Sequence, residues 1–230
     1  MKILIAISSK EYSGPTLDVG MNIARALKAS TTILDVGEKI NEMSTKDISI
    51  TNELMDTWNI DRPGIEVLEW AYHYLVKNSF IDDDSEEEVF KNKIVKESTS
   101  NRTEVFLKGA SIEKLSLILR NGDIVTELRD EVRTYDYGLT IIGGSSKRSL
   151  AHDFIQYIES SILIVNSFNL DKNYRILLAV DDSPGTANAV KYGIRVAQAF
   201  KIKVDLINIS KDGHLKEGYN NAINRAKKML

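Results

Sequence analysis

Cysteine is absent from the 230 residues, which removes disulfides, thiolate nucleophiles and most structural zinc sites in one step and fits a reducing compartment. Excess positive charge is also missing: 30 Lys and Arg stand against 33 Asp and Glu, a net charge of -3, without the clustered cations of a nucleic-acid surface. No nucleic-acid partner is expected. Long apolar runs are lacking too. The opening MKILIAISSKEYSG stops being apolar after Ile7, short of a secretory core of ~7–15 residues and of a spanning segment of ~20. The expectation is a cytoplasmic protein with no membrane segment. What remains, 43% hydrophobic and 27% charged residues, is the composition of a globular chain with ample material for a core.

The chain repeats its opening. Lys2 to Val36 can be laid without a gap on Arg175 to Ile209, so that Ile3 meets Ile176, Leu4 meets Leu177, Ala6 meets Ala179, Gly20 meets Gly193, Ala24 meets Ala197 and Lys28 meets Lys201. Each copy begins with an apolar run suited to a strand covered on both faces. A polar turn follows, with Ser183 and Pro184 placed as N-cap and first helical residue. Apolar residues then recur at helical spacing, as in Ala189, Tyr192, Val196 and Phe200, before a second apolar strand. This is a βαβ start made twice.

Between the copies the first unit continues. RPGIEVLEWAYHYLVK, from Arg62 to Lys77, has helical length and is apolar nearly all round, which predicts a helix covered on two sides. LSLIL (Leu115 to Leu119) reads as a strand, and Asn121-Gly122-Asp123 as a turn and N-cap before a helix striped by Ile124, Leu128, Val132 and Tyr135. Leu139 to Ile142 is the next strand, Leu150 to Tyr157 the next helix, and Ile162 to Val165 the last strand. Five strands alternating with four helices predict a doubly wound α/β sheet. Tyr219, Ala222, Ile223, Ala226 and Leu230 lie on one face of a further helix near the end.

Two polar stretches, 38–61 and 78–114, fall outside this rhythm. The second carries Asp82, Asp83, Asp84, Glu86, Glu87 and Glu88. Their spacing does not follow a calcium loop, and a solvated charge run is the reading taken, with no metal site. Val89 to Leu107 reads equally as a short helix or as a hairpin around Ser98 to Arg102.

The stretch YGLTIIGGSSKRSL (Tyr137 to Leu150) ends an apolar run in two glycines, small residues and two cations before a helix start. Backbone N–H groups at Gly143, Gly144 and Ser145, the helix start near Ser149, and the charges of Lys147 and Arg148 favour an anion there. A compact turn with two solvated cations is the other reading. Neither a Walker loop nor G-x-S-x-G is present. Ser149 and His152 stand at i, i+3, but no acidic orienter completes a triad, so a non-catalytic protein is expected.

These residues together resemble the universal stress protein family: the order of elements, the AVDDS turn after the second-copy strand, the GD turn, and SLAHDFIQYIESSILIV as a helix followed by a strand. The likeness covers 1–168 as one unit, with insertions near 38–61 and 78–114, and 174–230 as the first half of a second. It implies a Rossmann-like five-stranded parallel sheet in the order 3-2-1-4-5, pairing in dimers or tandem repeats, and ATP or AMP as ligand. Weak ATPase activity is the one enzymatic alternative. It further implies an aspartate after the first strand and a loop of the form G-x-x-G, nine residues, then G-S or G-T. Gly143 falls on the first glycine and Ser149 on the final Ser or Thr, while Ser146 and Arg148 replace the second and third glycines and the nine-residue spacer is gone. Ser8, two residues beyond Ala6, stands at the aspartate position; the second unit keeps the acid as Asp181. The expected site is Ala6, Ser8, Gly143 to Ser149 and Asp181, a degenerate nucleotide or phosphate site with weak or undetectable ATP binding. The expected function is a stress-response module working by self-association, with true ATP or AMP binding as the alternative. An incomplete second unit has to lean on something, so a homodimer is expected, with an unidentified protein partner as a further reading.

Overall fold

The computed structural model describes residues 1–38, 64–82, 94–96, 102–107, 114–144, 148–169, 172–209 and 217–229. The chain divides into two compact units, Met1–Phe168 and Asn169–Leu230.

In the first unit the elements follow in the order β1 (Lys2–Ile7), α1 (Gly14–Leu27), β2 (Ser30–Gly37), α2 (Ile65–Lys77), β3 (Ile94–Lys96), β4 (Arg102–Leu107), β5 (Leu115–Asn121), α3 (Ile124–Tyr135), β6 (Leu139–Gly143), α4 (Arg148–Tyr157) and β7 (Ser161–Val165). The sheet order is β3-β4-β5-β2-β1-β6-β7. Its parallel part, β5-β2-β1-β6-β7, is the expected 3-2-1-4-5 arrangement, and β1 and β6 lie inside it. The sheet is longer than expected. β4 runs antiparallel to β5 and β3 antiparallel to β4, so the described parts of the stretch that read as either helix or hairpin pair as antiparallel strands, added at the β5 edge.

The alternation of side chains along each strand sorts the sheet into two faces. Leu4, Leu34, Ile118 and Ile142 point to one face and are covered by Leu128 and Val132 of α3 and by Phe154 of α4. Ile5 points to the other, where α1 presses Gly20 so close that a Cβ there would stand 2.6 Å from Ile5 Cδ1. α2 covers the same face and buries Val67, Leu68, Ala71, Tyr72 and Leu75. Trp70 and Tyr74 are half-buried, so the apolar girdle read from Arg62 to Lys77 is covered broadly from Gly64 on; residues 62 and 63 fall outside the described residues. Asp123 caps α3 by accepting from the Thr126 N–H at 3.0 Å.

The second unit contains β8 (Arg175–Ala179), α5 (Pro184–Phe200), β9 (Lys203–Ile207) and α6 (Glu217–Met229). β8 and β9 form a parallel pair. Leu178, Val180, Val190, Ile194 and Ala226 are its buried cluster, with Ala222 and Ile223 of α6 packed against it. Ser183 and Pro184 occupy the N-cap and first helical position.

Local geometry recurs at the offset of the sequence repeat. Lys2 pairs with Ser30 as Arg175 pairs with Lys203. Gly20 against Ile5 has its counterpart in Gly193 against Leu178. Lys28 and Lys201 both end their helices in the left-handed region, at φ 48° and 52°. Ser13 Oγ accepts from the Ser8 N–H at 3.1 Å, and Thr186 Oγ1 from the Asp181 N–H at 3.2 Å. The same short-range instructions produce the same turns. Among the described residues no helix is long and apolar enough to cross a membrane.

Candidate functional site

The sheet order reverses between β1 and β6, and there the C-terminal ends of two adjacent parallel strands diverge into helices on opposite faces. A cavity of about 530 Å³ opens at that point. Ala6, Ile7 and Ile142 form its floor, Ile124 at the start of α3 and Phe154 of α4 are apolar walls, and Ser8, Tyr12, Ser13, Gly143 and Gly144 form the rim.

The rim is held by backbone hydrogen bonds. Ser13 Oγ accepts from both Ser8 and Ser9 N–H groups, at 3.1 and 3.3 Å, and Ser9 Oγ accepts from the Tyr12 N–H at 3.3 Å. The chain thus turns sharply from β1 into α1. On the other side the Gly144 N–H donates to the Val165 carbonyl at 2.7 Å. A Cβ on Gly144 would collide with the Asn166 side chain, so glycine is required there for packing.

Of the residues expected at the site, Ala6, Ser8, Gly143 and Gly144 line this one cavity. Arg148 and Ser149 open α4, while Ser145, Ser146 and Lys147 lie outside the described residues. Asp181 belongs to the second unit, where it lines a cavity of about 370 Å³ with Ser183, Thr186, Asn208 and Tyr219. Its Oδ1 accepts from the Ser183 N–H at 3.0 Å, and from Ser183 Oγ and Thr186 Oγ1 at 2.5 Å each. These donors, Ser183 first, hold the Asp181 carboxyl below its ordinary value. The carboxylate is engaged in capping its own turn.

Sequence reasoning did not find Tyr12, Ser13, Ile124, Ile142 or Phe154. The alignment of Ser13 with Thr186 was the available signal for one of them. Nor did it find Asp35, on the face of α2. That carboxyl is 3% exposed and pushed up to about 7, because burial removes its hydration, with the nearby Glu66 charge adding and the Val36 N–H opposing. Asp35 Oδ2 lies 2.8 Å from where a Cβ on Gly64 would stand, and Leu119 Cδ1 lies 2.7 Å from the same point.

Among the described residues no group of His, Asp and Glu is arranged to hold a metal ion. Asp82 is exposed, and the rest of the acidic run lies outside the described residues, as does His214. His73 and His152 are both exposed. The Ser149 side chain is outside the described set, so the Ser149–His152 pair is too.

Neither a protein-family model nor a curated protein matches the chain. Solved structures do. A universal stress protein from Archaeoglobus fulgidus DSM 4304 aligns with a TM-score of 0.58 and 15% identity, over 99% of this chain and 72% of its own. A functionally unknown protein from Pseudomonas aeruginosa PAO1 aligns with a TM-score of 0.53 and 14% identity, over 99% of this chain and 67% of its own. At such identities the likeness is one of fold, and the fold of this chain is the Rossmann-like α/β fold of universal stress protein structures.

Proposed function

We propose that this protein is a universal stress protein-like regulatory module of the stress response, with a reduced nucleotide or phosphate site in its first unit, acting through self-association and not through catalysis. The observation that carries this reading is the cavity at the β1–β6 switch point, since ligands of open α/β sheets bind in the crevice outside the carboxyl ends of the strands. Its rim carries the hydroxyls of Ser8, Tyr12 and Ser13 next to a helix start, which suits a phosphate. It lacks a carboxylate at Ser8, the position where the resemblance places one. In the second unit the carboxylate is present as Asp181 and occupied in capping.

A full ATP- or AMP-binding protein is the second reading. The size of the cavity favours it, because about 530 Å³ falls within the ~300–1,000 Å³ usual for ligand pockets. Calorimetric titration with ATP and AMP separates the two. Binding weaker than micromolar is expected; submicromolar affinity abolished by Gly143→Val would establish the second reading in place of the first.

A further inference from the structure

Strand alternation gives the parallel pair β8–β9 two faces. Leu178 points to the side on which Gly193 of α5 and Ala226 of α6 pack. Arg175, Leu177 and Ala179 of β8, with Lys203, Asp205 and Ile207 beside them on β9, point to the other. Both helices described for this unit belong to the first side, and Leu177 and Ile207 remain 65% and 36% exposed. Arg175 donates to Asp205 through Nε at 2.7 Å and through Nη2 at 2.5 Å, and Lys203 adds a cation. The face is thus apolar toward the carboxyl ends of its strands and net positive toward their starts.

Charge divides between the two units as unevenly as burial does. Residues 169–230 carry 11 Lys and Arg against 6 Asp and Glu, whereas residues 1–168 carry 19 against 27. The second unit is therefore +5 and the first -8, an asymmetry that the net -3 of the whole chain conceals. Two second units brought face to face would repel, while a second unit and a first unit attract.

We infer that the open face of β8–β9 is a docking surface for an acidic protein surface, the first unit of a second copy of this chain. Around a two-fold axis each second unit meets the first unit of the other copy, so one arrangement satisfies both contacts and closes as a dimer. This rests on the reading of the protein as self-associating and adds which surface associates and with what. Leu177 and Ile207 supply the apolar contact, while Lys203 and the surplus charge of the unit select the acidic partner. An anionic membrane or a nucleic acid would have to approach a chain whose larger unit repels it.

The test is sedimentation velocity of the intact chain at micromolar concentration, at low and high salt, for the wild type, Leu177→Asn and Lys203→Glu. It is joined by zero-length carbodiimide cross-linking of a mixture of isotopically heavy and light wild-type protein, and by flotation with phosphatidylserine vesicles. Both substituted side chains are exposed, so each variant is expected to keep the wild-type circular dichroism. The expected result is a dimer that high salt weakens, because the attraction is screened. Leu177→Asn should weaken it roughly tenfold, as for a leucine left in water, and Lys203→Glu should weaken it at low salt. Heavy-to-light links should join Lys203 to carboxylates of residues 1–168. A wild-type dimer untouched by Leu177→Asn overturns the assignment of the face while self-association stands. A dimer weakened by Leu177→Asn but indifferent to salt and to Lys203→Glu overturns the acidic partner. Links confined to one isotope assign the face to the chain's own first unit and overturn the exchange between copies. A monomer removes the inference together with the self-association reading, and a monomer that floats with the vesicles gives the face to a lipid surface instead.

Discussion

Among the described residues, Asp35 is a carboxyl held well above its ordinary range. It lies in β2, beside Gly64 at the start of α2, with its carboxyl pushed up to about 7 by burial. A raised value means that the folded protein holds a proton on Asp35 over a range in which the unfolded chain has lost it. The contribution to stability is therefore fully present below 3.8 and is lost as pH rises through about 7. Replacing it by asparagine removes the ionisation and keeps the size. Denaturation by urea at pH 5 and pH 8 should show wild type losing roughly 2–3 kcal/mol relative to Asp35→Asn over that interval. Parallel behaviour of the two proteins would mean that Asp35 is ionised in the folded state.

The added hairpin poses a question for whole elements, since a short β3–β4 pair has little core of its own. What ties it down is a buried network of charges. Glu131 of α3, fully buried, accepts from Arg102 Nε of β4 at 3.2 Å, from Arg120 Nη1 of β5 at 2.8 Å and from the Tyr137 hydroxyl at 3.2 Å. Arg102 and Arg120 also bind Glu104 and Glu127, at 2.6 and 2.7 Å, and the Tyr137 and Thr32 hydroxyls are hydrogen-bonded at 3.0 Å, which brings in β2. Arg102 further stacks over the Tyr135 ring, 4.4 Å from its centre. Strands β4 and β5 and helix α3 thus meet on one carboxylate, with β2 joined through Tyr137. Removing one member of such a set leaves buried charge uncompensated, so Glu131→Gln is expected to cost about 3–5 kcal/mol in chemical denaturation. A cost below about 1 kcal/mol would show that the arginines reach water instead.

At the scale of the molecule the two units differ in what covers their sheets. In the first, Leu4 and Leu34 lie fully buried beneath α3 and α4. Their repeat partners in the second, Leu177 and Ile207, are 65% and 36% exposed. A two-stranded sheet with an open apolar face is a weak independent structure and invites association. The expected outcome is a homodimer of the intact chain in light scattering at micromolar concentration. A monodisperse monomer there would remove self-association from the proposed function.

Much of the fold was legible in local pattern. The apolar runs of β1 and β2 and the caps at Asp123 and Ser183 follow from short stretches whose preferences agree with the final structure, whereas the order of the five parallel strands came from the family resemblance. Of the site, the sequence marked Gly143 and Gly144, because small residues after a strand signal a turn, while Ser8 was named only as the position where the resemblance places an aspartate. It could not mark Asp35 or Glu131, each an ordinary polar residue until other elements close over it. Leu4 and Leu177 make the distinction plain. They occupy the same place in the repeat, on strands of the same register, and one is sealed while the other faces solvent. Strand and turn are decided by neighbours along the chain, but burial is decided by helices more than a hundred residues away in the first unit, and that only tertiary packing supplies.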